Sequence, residues 1–369
     1  MDSLIVYLIP VFVIFMVAEY VYGLKIGKST YTFSDTAVNL TLGLMSSVSQ
    51  FVTKFFQIGI YMLVYRWVWG HDEDPFWQTW YGILACVLVF DFFDYWLHRA
   101  EHETAALWAA HVVHHQSPRY NFSVALRQVT TEPFLGFLFY LPMAFIGIPP
   151  EQLLLTALLV LLYQFFLHTD HVPKLGWLEG VLNTPSNHRV HHAANEPYLD
   201  KNYGIVTVIW DRLFGTYQAE TEPCRYGTVK PFTSHNPIWA NVIEYVGIWR
   251  KAVFTRGSLN KLSAVFRPPG WMPEGYAEAT VSNVPAVKSV EHDVPRLAVI
   301  AQFLVIAMLS VAVLDQEESL GYSVGTAIVV AIFALCGCLG ALIDRKIGLL
   351  SSLAVNVFAL AFCAYLFRL

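Results

Sequence analysis

Histidine is the residue whose type and spacing could do chemistry. Thirteen histidines occur in the 369 residues, and ten of them fall in four short clusters. These are His98 and His102 in HRAEH; His111, His114 and His115 in HVVHH; His168 and His171 in HTDH; and His188, His191 and His192 in HRVHH. Residues three or four apart on a helix share a face, so each cluster can aim two or three imidazoles at one point. A single histidine near a membrane interface is ordinarily a capping or hydrogen-bonding residue. Four clusters are another matter, because burying so many rings is costly unless metal ions take up their nitrogens. The clusters hold more imidazoles than one six-coordinate ion accepts, so two ions are expected. Imidazole suits zinc, copper, iron and nickel alike, and ligand type leaves the metal open. A structural zinc site would usually include cysteine thiolates, which the clusters lack. A redox-active pair that binds and reduces dioxygen fits better, and iron held by neutral nitrogens is suited to that task.

Several other residues could support such a centre. A carboxylate hydrogen-bonded to a ligating imidazole fixes the ring and raises its basicity. Asp91, Asp94, Glu103, Asp170 and Asp200 are candidates for that role, and Glu103 and Asp170 adjoin histidines. Asn202 and Tyr203, in DKNYG, could line the same cavity; Arg127 and Gln128 could meet a lipid head group or a bilayer phosphate. His235, in SHNPIW, lies outside the spacing pattern and reads as structural, while His71 and His292 are isolated and expected to face solvent.

The elements that must position these residues are membrane helices. The chain is 56% hydrophobic and 14% charged, with a mean hydropathy of +0.47, outside the range of an ordinary soluble domain. Candidate spans are Leu4 to Tyr22, Ala37 to Trp69, Trp77 to Leu97, Glu132 to Ile148, Glu151 to Leu167, Leu297 to Leu314, Ser323 to Ile343 and Ile347 to Phe367, about eight by the roughly 20-residue rule. The first run lacks a basic leader region and a small-residue cleavage site, so it is expected to be retained. Pro149 and Pro150 suit the tip of a hairpin. Lysine and arginine gather in loops that alternate spanning assigns to one face, which should be cytoplasmic, and His71 with Asp72, Glu73 and Asp74 marks the opposite side. The tryptophans mostly flank spans, as an interfacial belt would.

The expected architecture is therefore all-α: a multi-pass transmembrane bundle whose long polar stretch between Leu167 and Arg296 forms a cytoplasmic helical cap. Residues 1–295 would form the histidine-rich domain and residues 296–369 a C-terminal three-helix segment. No basic surface of the kind nucleic acid requires is present at a net charge of −5. The five cysteines show no disulfide framework.

The stretches DYWLHRAEHE, WAAHVVHHQSPRYNFSVALRQ, QFFLHTD, LNTPSNHRVHHAANEPYLDKNYG and IWDRLFGTY resemble the fatty acid hydroxylase and sterol desaturase superfamily of membrane diiron enzymes, and within it the alkylglycerol monooxygenase group. The resemblance is close over about residues 90–241. It implies two iron ions bound by His98, His102, His111, His114, His115, His188, His191 and His192, with His168 completing the set, His171 ranked below the others and Glu103 an important neighbour. It also implies a lipid monooxygenase that uses dioxygen, with tetrahydrobiopterin or an external redox protein as electron donor. Asp170, Asn202 and Tyr203 join Glu103 as candidate catalytic residues. The substrate could be an ether lipid of the alkylglycerol type or, alternatively, a fatty acyl chain, an aminolipid or a sterol; a dizinc hydrolase is the remote alternative. The host membrane would be a bacterial inner membrane or the endoplasmic reticulum.

Overall fold

The computed structural model describes residues 2–71, 74–276 and 294–367; Asp72, Glu73 and His292 lie outside them. The protein is built of helices, and the β-pairing among the described residues is limited to two isolated bridges, Leu182 with Thr207 and Ala193 with Tyr226. The long helices are α1 (Asp2–Lys25), α2 (Phe33–Lys54), α3 (Ile60–Trp69), α4 (Trp80–Glu103), α5 (Pro133–Ile146), α6 (Pro150–Leu167), α7 (Pro185–His191), α8 (Pro237–Phe254), α9 (Arg296–Asp315), α10 (Tyr322–Ile343) and α11 (Leu349–Leu366).

Among the described residues, six segments are long and apolar enough to cross a membrane: Leu8–Lys25 of α1, and α4, α6, α9, α10 and α11. The protein is an integral membrane protein. Two of the expected spans have a different character. The run from Ala37 to Trp69 lies within a continuous helical rod in which α2 and α3 are joined by a π-helical turn, Phe55–Gly59. Its first half buries Asp35, Asn39, Thr41, Ser49 and Thr53, so its polar side chains face protein. The run from Glu132 to Ile148 holds α5, which has only 14 helical residues, short of the roughly 20 that a straight crossing needs.

The expected hairpin tip is present. Gly147 ends α5 at φ 93°, a left-handed conformation that glycine adopts without a Cβ penalty. Its N–H reaches the Ala144 carbonyl at 3.1 Å and the Ile148 N–H reaches that of Met143 at 3.1 Å. Pro150 then starts α6 at a position where its missing N–H costs no hydrogen bond.

The two largest apolar cores among the described residues draw on different helices. Helices α3 to α6 bury Tyr61, Tyr65, Phe90, Met143 and Val160. Helix α2 packs with α9, α10 and α11 around Leu42, Met45, Ile306, Ile328, Ile332 and Cys363. The α2–α3 rod therefore takes part in both. Outward faces carry exposed Leu84, Leu88, Leu138, Leu350 and Phe358, as lipid contact requires. Inside the second core, Gln302 donates to the Leu335 carbonyl at 2.8 Å and accepts from Ser352 at 2.6 Å, an interhelical polar clamp typical of membrane packing. His235 is structural: its Nδ1 lies 2.8 Å from the buried Asp344 carboxylate, which also accepts from Ser234 at 2.9 Å.

Candidate metal centre

Four segments bring their histidines to one place. His98 and His102 stand one turn apart near the end of α4, and His111, His114 and His115 belong to the short helix Val112–His115 and its N-cap. His168 is the C-cap residue of α6. His188 and His191 lie on α7 and His192 caps it; Pro185 opens that helix after Thr184, whose hydroxyl accepts from the Asn187 N–H at 3.3 Å.

The ring nitrogens form two groups, each with its ligand atoms within 4.8 Å of one another: His98, His102, His111, His115 and His191 in one, and His114, His168, His188 and His192 in the other. Successive residues on a helix point about 100° apart. The tandem pairs His114–His115 and His191–His192 accordingly straddle the groups, each giving one ring to each side. The His115 and His192 rings stack across the boundary with centroids 4.4 Å apart.

The outer ring nitrogens explain how the inner ones are aimed. Nδ1 of His98 lies 2.9 Å from the Tyr203 carbonyl, that of His191 3.0 Å from Lys201, that of His114 3.1 Å from Arg127 and that of His168 2.8 Å from Gln164. A carbonyl oxygen only accepts, so Nδ1 carries the proton in each neutral ring and Nε2 presents a lone pair. The Nε2 atoms of His114 and His168 are 3.1 Å apart, and two lone pairs at that separation repel. A cation accepting both resolves the conflict, since imidazole–metal bonds of about 2.0–2.1 Å set adjacent nitrogens roughly 3 Å apart. Nε2 of His98 and His102 are buried with no hydrogen-bond partner. The residues fit a pair of metal ions.

Electrostatics agree. Burial, and after it the neighbouring imidazoles, holds His115, His168, His188, His191 and His192 well below the usual histidine range. Burial pushes His111 and His114 down to about 3. All seven rings are thus neutral at neutral pH, the form that ligates metal.

The supporting residues sort differently from the sequence expectation. Glu103 is half exposed and pairs with Arg99 at 2.9 Å, away from both groups. The carboxylate that backs an imidazole is Glu101, 2.9 Å from Nδ1 of His111. Helix arithmetic could have found it: Glu101 is three residues from His98 and shares its face, whereas Glu103, five residues on, does not. Asp170 bonds Lys28 at 2.7 Å and the Tyr226 hydroxyl at 2.9 Å. Tyr226 in turn stacks on Tyr120, which flanks the rings of His168 and His192. Asn202 is buried, at φ 56°, and latches its loop by donating to the carbonyls of Asn187 and Gln218 at 3.0 and 2.8 Å. Tyr203 packs its ring beside His98, His102 and His191, and its buried hydroxyl has no partner.

Asp91 accepts from the Val206 N–H at 2.7 Å, the Thr207 hydroxyl at 2.7 Å and the Trp210 indole at 2.9 Å, tying the loop beyond Tyr203 to α4. Asp211 holds the same loop from within through the N–H groups of Tyr203 and Gly204 at 2.7 and 2.8 Å. Asp94 accepts from Tyr140 at 2.6 Å, and Asp200 stays 3.9 Å from His102. Arg127 is no head-group ligand: it is buried and donates to the Val113 carbonyl, Asn39 and Gln116 at 2.6, 2.9 and 3.1 Å. Gln128 donates to the Ala125 carbonyl at 2.8 Å. His171 falls outside both groups, edge-on to Tyr22 at 5.4 Å.

Comparison with known proteins places this arrangement. The fatty acid hydroxylase family model matches residues 83–216. The alkylglycerol monooxygenase of Danio rerio is 35% identical over 349 residues, covering 91% of this chain and 77% of that protein. The chain belongs to the fatty acid hydroxylase family. All nine grouped histidines lie inside the fatty acid hydroxylase segment. The human alkylglycerol monooxygenase is 38% identical over 269 residues, 72% of this chain and 59% of that protein. An ornithine lipid hydroxylase of Rhizobium tropici is 26% identical over 162 residues, 42% of this chain and 47% of its own. No solved structure matches the chain.

Proposed function

We propose that the protein is a membrane monooxygenase that hydroxylates a lipid C–H bond with dioxygen at two irons held by the nine grouped histidines, and that its substrate is an ether lipid of the alkylglycerol type. Family membership supports an oxidoreductase acting on lipid. The single observation that carries the reading is the pair of nitrogen groups whose outer nitrogens are turned to backbone carbonyls and a carboxylate. The long match to alkylglycerol monooxygenase, against shorter ones to other lipid hydroxylases, favours the ether substrate over a fatty acyl chain, aminolipid or sterol.

Bound in these groups, iron would supply the binding and reduction of dioxygen and the oxidation of the C–H bond. The chain's own residues do the positioning. Carbonyls of Tyr203, Lys201, Arg127 and Gln164 hold the rings in one tautomer, and Glu101 strengthens His111 as a donor. Asp91 and Asp211 fix the loop that closes over the five-histidine group, and Tyr203 offers its unpartnered hydroxyl as a hydrogen-bond donor beside it. Asn202 latches that loop, Asp170 braces the His168 segment through Tyr226 and Lys28, and Glu103 only pairs with Arg99 at the rim. Hydroxylation of the carbon next to the ether oxygen gives a hemiacetal, which separates into an aldehyde and an alcohol. One oxygen atom enters the lipid and the other leaves as water, with two electrons from tetrahydrobiopterin or an external redox protein.

In the membrane, the α2–α3 rod and α5 would join the six spans to give about eight embedded segments. The face rich in lysine and arginine would be cytoplasmic, with the histidine groups and a cap formed by residues 168–276 on that side. A bacterial inner membrane or the endoplasmic reticulum would host it.

The test is purified full-length protein analysed for metal and assayed on an alkylglycerol in the presence and absence of oxygen. About two irons per chain and aldehyde formation only with oxygen and reductant are expected. Two zinc ions with oxygen-independent turnover, the behaviour of a dizinc hydrolase, would defeat the reading.

A further inference from the structure

Away from the histidines, a groove of about 610 Å³ opens between α1, the start of α2 and the start of α9, a volume in the range of small-molecule sites. Each wall changes character along its length in the same sense. Tyr20 gives way to Val13 on α1, Thr36 to Leu40 on α2, and Arg296 to Phe303 on α9. The polar ends lie together: Tyr20 meets Tyr31 edge-on at 5.9 Å, and the Arg296 guanidinium stands 5.5 Å over the Phe33 ring. From Arg296 to Phe303 the wall advances seven residues, about 10 Å of helix. Arg296 makes no ion pair among the described residues. It also sits in the first turn of the 20-residue α9, where the helix dipole adds positive potential.

The groove is not a route to the histidines. Tyr31 on its wall donates to Glu19 at 2.5 Å, and Glu19 accepts from the Thr169 hydroxyl at 2.5 Å and the Phe122 N–H at 2.8 Å. This hydrogen-bonded seam stands between the groove and His168. An uncharged alkylglycerol would leave Arg296 unanswered, whereas a bilayer glycerophospholipid brings a phosphate for the cation and a chain for the apolar floor.

We propose that the groove binds one glycerophospholipid, its phosphate on Arg296 and one acyl chain against Val13, Leu40 and Phe303, and that this lipid clamps the C-terminal helices to α1. The inference goes beyond the oxygenase reading and does not depend on it.

The experiment is native mass spectrometry of the full-length protein, counting lipids retained as detergent strips the annulus. The probes are phosphatidylglycerol, diacylglycerol of the same chains, 1-alkylglycerol and inorganic phosphate. One phosphatidylglycerol should remain, preferred over diacylglycerol by roughly ten-fold, the scale of one charge-assisted contact. Arg296→Gln should abolish that preference, and Ala37→Phe, which fills the groove, should remove the retained lipid altogether; inorganic phosphate should not compete. Equal retention by Arg296→Gln, or displacement of the phospholipid mole for mole by 1-alkylglycerol, overturns the proposal. Photo-crosslinkable phosphatidylglycerol on the unmodified protein gives a check that needs no variant: adducts on α1 and α9 support the site, and adducts elsewhere alone reject it. Lipid retention is read without turnover, so its failure leaves the oxygenase reading untouched.

Discussion

The two histidine groups share both tandem pairs yet are backed differently. The five-membered group takes two rings from the rigid α4 and has a carboxylate, Glu101, behind one ligand. The four-membered group takes His168 from a helix C-cap and is backed by the Arg127 and Gln164 carbonyls. For six-coordinate ions, five imidazoles leave one position and four leave two. A carboxyl group therefore backs the group that would be the more saturated with metal bound, and the group that would be more open depends on peptide carbonyls. The comparison teaches that two nitrogen groups sharing one pocket need not be equivalent, and neither would be the ions they could hold.

The sharpest way to break it is to remove one ligand from each side. His168→Ala should lose the ion of the four-membered group and at least roughly 100-fold in activity, the scale of a misplaced reacting centre, while keeping the other ion; His98→Ala should do the reverse. Metal analysis of both variants decides this, and loss of both ions from either would show that the groups bind as one unit. Glu101→Gln should weaken metal affinity of the five-membered group about 10–100-fold, with Glu103→Gln nearly silent, as measured by chelator competition; equal effects would erase the asymmetry in backing. Gly204→Ala should cost about 3 kcal/mol in thermal unfolding, because a Cβ there would lie 2.0 Å from the Thr207 carbonyl oxygen, and it should disturb the five-membered group first. Asp170→Asn should have the smallest effect, about 1 kcal/mol or less, since its partner Lys28 is 55% exposed.

Much of this was legible from spacing alone. The HxxHH and HxxxH patterns announced converging rings, and the double proline announced the hairpin between α5 and α6. The division into five and four was not legible, because it depends on how separate segments cross. Helical periodicity marks Glu101, three residues from His98, whereas sequence adjacency to His102 favours Glu103. Arg127 looked like a head-group ligand because a sequence shows its charge and not its burial under α2. His171 matches its cluster in spacing but follows the end of α6, where helical phase no longer applies.

The π-helical turn at Phe55–Gly59 sets the phase of everything after it. It carries one residue more than an α-turn would use. Winding the same five residues as ordinary α-helix, with none deleted, would swing the following segment by about 100°, turning Tyr61 away from the Ile148 carbonyl it now reaches at 2.7 Å. The defect is thus a splice between two bundles, and straightening it would undock one of them.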